Sequence, residues 1–186
     1  KLVQAWYKVA IAEQTTAAIP GKIVEREVVQ VITPWTDIEE DIHFNYIIAC
    51  SHGGASDAQY HVAWWDVSLG KYITKSFTSL SELLTQIAHL KAREIVVDIH
   101  FPEREQLKAF AEQEHILCSV RDLPNDVSMY LQHLLGTSSL SGYGKALESW
   151  RAEAFALLLW YVEEVQKKAV HSFAHVRYES SDDLVM

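Results

Sequence analysis

Asp66 and Asp98 each close a run of apolar residues at strand-like positions. Carboxylates so placed can hold two divalent ions about 4 Å apart and cut a phosphodiester. No third or fourth acidic residue falls at a recognisable spacing from them, and an aspartate entering a turn is favoured for its local hydrogen bonds. A turn for Asp66 and a strand end for Asp98 are therefore expected, with a metal nuclease as the alternative. His171 and His175 are spaced to share one helix face, but two ligands alone make a weak metal site, and Phe173 with Arg177-Tyr178 argues that the helix has ended by then. Ser51-His52, and Cys118 with His115, lack the third group that would orient a base toward a nucleophile. Gly142 and Gly144 around Tyr143 could approach a phosphate, yet a loop ahead of a helix accounts for them. The run Gly-x-x-x-x-Gly-Lys-Ser/Thr is missing, and with it the backbone cradle and lysine that hold a nucleotide. Cys50 and Cys118 lie far apart with no cysteine at metal-ligand spacing and read as reduced core thiols. No catalytic, cofactor or metal site is expected.

The elements that would position these residues belong to a chain of 186 residues, 49% of them hydrophobic, enough for one domain with a core and pieces of its neighbours. Asp and Glu number 25 against 16 Lys and Arg, a formal charge of −9 that repels a phosphate backbone and excludes broad DNA gripping. No apolar run reaches the roughly 20 residues of a membrane span, and Lys1-Leu2-Val3-Gln4 does not open a signal peptide, so a cytoplasmic location without membrane contact is expected. Six Trp and eight Tyr exceed the obvious need of one small core, and aromatic anchors are typical of interface centres.

Tyr7 to Ala12 and Glu25 to Thr33 read as extended, separated by Pro20-Gly21, with Pro34 ending the second run and an acidic linker from Asp37 to Asp41. Tyr46 to Ser51, Tyr60 to Asp66 and Lys71 to Phe77 predict an antiparallel meander, broken by Gly53-Gly54 and Ser68-Leu69-Gly70. Ser79 and Glu82 form a capping box ahead of Leu80, Leu83, Leu84 and Ile87, which mark a one-faced helix lying on the sheet. Glu94 to Ile99 is a continuous apolar strand, Pro102 opens a helix burying Leu107, Phe110 and Ala111, and His115 to Val120 is another strand. A helix from Asp126 to Leu135 ends at Gly136, and Ser141 to Gly144 is a loop. From Ser149 to Ala169 the pattern predicts a long helix with Phe155, Leu158, Leu159, Val162 and Val165 on one face and the pairs Glu163–Lys167 and Glu164–Lys168 on its surface. The result is an α/β fold, a mixed sheet covered by helices, in the order of the RNase H-like fold.

Several blocks carry a more specific resemblance. Lys8 to Gln14 and Val24 to Pro34 resemble the junction at which the mismatch-binding domain of the MutS family passes into its connector domain. Ala63 to Gly70 resembles the connector's second hairpin, and Gly136-Thr137 through Leu140 to Gly144 its late glycine-containing motif. Trp160 to Lys167 resembles the helix leading toward the lever and clamp, and Ser181 to Met186 the segment opening the core domain.

The resemblance implies a DNA mismatch-repair fragment divided into residues 1–36, the end of the mismatch-binding domain and a linker, residues 37–178, the connector, and residues 179–186, the start of the core or lever domain. It implies no enzyme activity here: the family's Phe-x-Glu wedge near the N-terminus and its phosphate loop near the C-terminus are both missing, so ATP, Mg and mismatched DNA would be bound only by the full-length protein. The implied role is to transmit conformational change between the mismatch-binding and ATPase regions and to dock MutL, beside other MutS domains and a second MutS subunit. In the family the stretch before Gly136 faces MutL. On a helix ending there Leu131, Leu134 and Leu135 share the apolar face, which makes Met129, Tyr130 and Gln132 the candidate partner-binding residues. The alternatives are the nuclease, or a free-standing protein-binding adaptor.

Overall fold

The computed structural model describes residues 7–15, 23–33, 46–53, 57–66, 71–147, 150–166 and 176–178. The Pro20-Gly21 break, Pro34, the acidic linker, Ser68 to Gly70, Lys167-Lys168, His171, His175 and Ser181 to Met186 lie outside them.

Strands β1 (Val9–Gln14) and β2 (Arg26–Ile32) form an antiparallel two-stranded ribbon whose register shifts between Ile11 and Ala12. Most of its side chains are exposed. A two-stranded ribbon buries too little to stand alone, so its position depends on what its base touches.

The body is a six-stranded mixed sheet of β3 (Tyr46–His52), β4 (Tyr60–Asp66), β5 (Lys71–Phe77), β6 (Glu94–Asp98), β7 (Leu117–Arg121) and β8 (Val176–Tyr178), in the order β7-β6-β3-β4-β5-β8. The meander β3-β4-β5 is antiparallel, as its short connections require, and β6 and β7 join parallel through helices. Strand β8, not expected from the residue pattern, pairs parallel with β5 at the far edge.

Alternation along β3 divides the core. Ile48 and Cys50 face one layer with Leu83 and Ile87 of α1 (Leu80–Leu90) and Leu107 and Ala111 of α2 (Arg104–Gln113). Ile47 and Ala49 face the other, with α4 (Trp150–Gln166). The Ser79 hydroxyl caps α1 by accepting from the Glu82 N–H, while the Glu82 carboxylate reaches back to Thr78. Helix α2 begins at Arg104, two residues after Pro102, and β7 begins at Leu117, because His115 sits at φ 56 and breaks the extended run. Asp126 caps α3 (Val127–Leu135) and Gly136 closes it at φ 62, where a side chain would be strained.

Two expectations change. Leu140–Leu147 is not an open loop but 3-10 turns kinked at Gly144 (φ 53). The long helix is not buried on one face: Ala152, Ala154 to Leu159, Tyr161, Val162 and Val165 are all buried. Sheet lies on one side of α4, and α3, the 3-10 segment and Val31 of the ribbon cover much of the rest, while Trp160 stays 44% exposed. A helix enclosed on most sides is apolar over most of its circumference.

Candidate functional site

The carboxylates considered for metal chemistry end up apart. Asp66 pairs across the sheet with Tyr46 at the start of β3, whereas Asp98 lies level with Ser51 near its end. Five residues of strand, roughly 16 Å, separate those levels, four times the spacing of a two-ion centre. No group of three His, Cys, Asp or Glu suited to a metal occurs among the described residues. Asp98 accepts from the His100 N–H at 3.2 Å, and burial raises its carboxyl.

His115 and Cys118 do line one groove, of about 510 Å³, with Lys108 and Glu112. Burial pushes the Cys118 thiol up to about 11, so it stays protonated at neutral pH and is a poor nucleophile. Ser51 is fully buried and donates to the Trp150 carbonyl at 3.5 Å. Two Phe-x-Glu triplets occur away from the N-terminus, Phe101-Pro102-Glu103 and Phe110-Ala111-Glu112. Both phenylalanines pack into the α1–α2 core, so neither can wedge into DNA.

Of the candidate partner residues, Met129 stands out at 66% exposed. Gln132 is half-buried, and its carbonyl accepts from the Thr137 N–H. Tyr130 corrects the expectation of an exposed anchor. Its hydroxyl donates to Glu163 at 2.7 Å, its ring meets Trp160 edge to face at 5.6 Å, and the side chain is half-buried against the α4 core. Helix periodicity put Tyr130 on the open side of α3, but α4 passes close enough to cover it. Trp160, 44% exposed beside it, is the aromatic that the sequence reading missed.

The second candidate is a polar node where the ribbon meets the body. Glu94, fully buried at the start of β6, accepts a short hydrogen bond from the Tyr161 hydroxyl, which lies 3.2 Å from the Ser119 hydroxyl. Burial raises the Glu94 carboxyl against the opposing pull of Tyr161, Thr33 and Lys8. Arg121 grips Glu164 with two bonds, at 2.7 and 3.1 Å, and holds that carboxyl below its ordinary value. Lys8, just before β1, reaches Glu164 at 3.6 Å and sits 4.8 Å from the centre of the Tyr161 ring, which Arg121 also approaches at 5.2 Å. Thr33, just after β2, is fully buried beside Glu94. Seven residues from the ribbon, two strands and a helix thus meet at one point, with two cations against two carboxylates. The node can fix one part of the molecule to another.

Among the described residues no helix is long and apolar enough to cross a membrane. Residues 45–177 match the family model of MutS domain II, and residues 1–41 match that of MutS domain I. The DNA mismatch repair protein MutS of Streptococcus sanguinis (strain SK36) is 32% identical over 190 residues, covering all of this chain and 20% of the relative. That of Lactococcus lactis subsp. lactis (strain IL1403) is 35% identical over 193 residues, covering all of this chain and 21% of the relative. The chain spans about a fifth of the length of these curated relatives.

Proposed function

This chain belongs to the MutS family of DNA mismatch-repair proteins, and from that premise we propose that it is a non-catalytic connector module that passes conformational change between a mismatch-binding region and an ATPase region. In this reading residues 37–178 are the connector, with an RNase H-like arrangement of strands. Residues 1–36 end the mismatch-binding domain, and residues 179–186 open the core or lever domain. The matches of residues 1–41 to MutS domain I and of residues 45–177 to MutS domain II support the order of the first two parts. ATP, Mg and mismatched DNA are then handled by other parts of a longer cytoplasmic protein, and this chain carries no cofactor.

The observation that carries the reading is the buried node. A packed α/β layer deforms little, so a ribbon whose base is tied to it at Glu94, Tyr161 and Thr33 stays anchored there and passes movement between its far end and the layer.

MutL is proposed to dock on the surface of α3 and α4. Met129 and Gln132 remain candidate contacts, and Trp160 joins them with Tyr130 packed edge to face against its ring. In the full-length protein, Met129→Ala with Gln132→Glu should weaken binding of the MutL N-terminal domain about tenfold or more, while Tyr130→Phe should have a smaller effect. Undiminished binding by the folded double variant would remove the docking surface from α3.

A further inference from the structure

The base of the ribbon is held in two different ways. Continuing the register Val9↔Ile32 one step places Lys8 opposite Thr33, so each strand is fastened by one residue. Thr33 is completely enclosed, and Val31 packs against the α4 core. Lys8 keeps 28% of its side chain exposed, and its ammonium stands 3.6 Å from Glu164, longer than either Arg121 contact.

We propose that Lys8 is a releasable latch that sets the angle of the β1–β2 ribbon on the six-stranded body, while Thr33 is the fixed pivot. This deepens the connector reading and rests on it for its purpose, though not for its geometry. Release of Lys8 leaves no orphaned charge, because Glu164 keeps both bonds to Arg121 and Tyr161 keeps the Arg121 guanidinium near its ring. The freed ammonium gains water at the partly open rim. Withdrawal of Thr33, by contrast, would open the enclosed region around Glu94, where an unmet carboxylate is costly. The weaker fastening therefore opens first, and the ribbon swings about the stronger. A part-exposed ion pair is also screened by salt.

The test places spin labels at Gln30→Cys on the ribbon and Glu112→Cys on α2 in the full 186-residue chain, with Cys118→Ala to remove the half-buried thiol. Distances are measured by pulsed dipolar spectroscopy. Lys8→Gln is expected to broaden the distribution about twofold while the thermal midpoint of the body stays unchanged, and Lys8→Arg should restore the narrow distribution. The unsubstituted Lys8 chain should broaden in about 1 M salt, where the screening length is roughly 3 Å. An unchanged distribution in Lys8→Gln overturns the latch, and so does a fall in the midpoint with the broadening, which would make Lys8 a structural strut. Equal broadening in Thr33→Val with an unchanged midpoint overturns the assignment of the pivot. Since neither DNA, nucleotide nor MutL is present, a negative result here is separate from a negative result in the docking experiment.

Discussion

Glu153 and Glu164 stand eleven residues apart on α4, about three turns, and project from the same side of one helix. Arg121 and Lys8 hold Glu164 as a carboxylate below its ordinary range. Glu153 is pushed up to about 7, first by burial and then by the charge of Asp98. Position on the helix does not separate the two. One has cations and the other has another acid, so burial near a partner fixes a charge, while burial beside a like charge removes it. The end of α4 near Glu153 holds further strain. His61, 1% exposed, lies 2.8 Å from the Ser76 hydroxyl, which Arg151 also reaches, and 3.2 Å from Asp57. Desolvation lowers its imidazole to about 4, with Arg151 and His52 adding repulsion and Asp57 opposing them.

The comparison would break if α4 did not join its two ends through one core. Leu158→Ala should cost about 2–5 kcal/mol in urea denaturation and lower the signals of both ends together. Two separate transitions would mean that the ends fold independently. Tyr161→Phe sharpens the paired end. It leaves Glu94 and Ser119 without the shared hydroxyl and should cost about 1–3 kcal/mol, with little volume change to confuse the result.

The Glu153 end makes a prediction in pH. Between pH 4 and 6.5 the unfolded chain binds a proton at His61 that the folded chain refuses, so this group makes stability fall as the solution is acidified. Between pH 4.5 and 7 the folded chain holds a proton at Glu153 that the unfolded chain releases, so that group makes stability fall as pH rises. The slopes oppose one another from pH 4.5 to 6.5. Glu153→Gln should remove one of them: stability at pH 8 should rise by about 1–2 kcal/mol after discounting for partial exposure, and a decline on acidification should emerge below pH 6.5. A variant whose pH profile matches the parent's would put the compensation elsewhere. The smallest effect belongs to Lys8→Gln, which should leave global stability unchanged in the same denaturation experiment, because Arg121 still neutralises Glu164.

Local chemistry determined the elements. The Ser79 and Asp126 caps, the Gly136 stop and the two-residue alternation of β3 to β5 are written in neighbouring residues, and each appears where its signal lies. The missing phosphate loop is likewise a property of the chain alone. Tertiary structure decided the rest. Tyr130 looked open because helix periodicity describes only its own helix, and the covering α4 lies 33 residues away. The five apolar residues assigned to one face of α4 were right as core positions, but they did not show the neighbours on its other sides. Lys8, Thr33, Glu94, Ser119, Arg121, Tyr161 and Glu164 share no spacing that sequence reading could detect. They meet because parallel pairing sets Glu94 level with Leu117 and because α4 crosses that strand with Tyr161 above it. Capping and alternation act over a few bonds, whereas burial and charge pairing depend on which distant segments the packed sheet brings within a few ångströms.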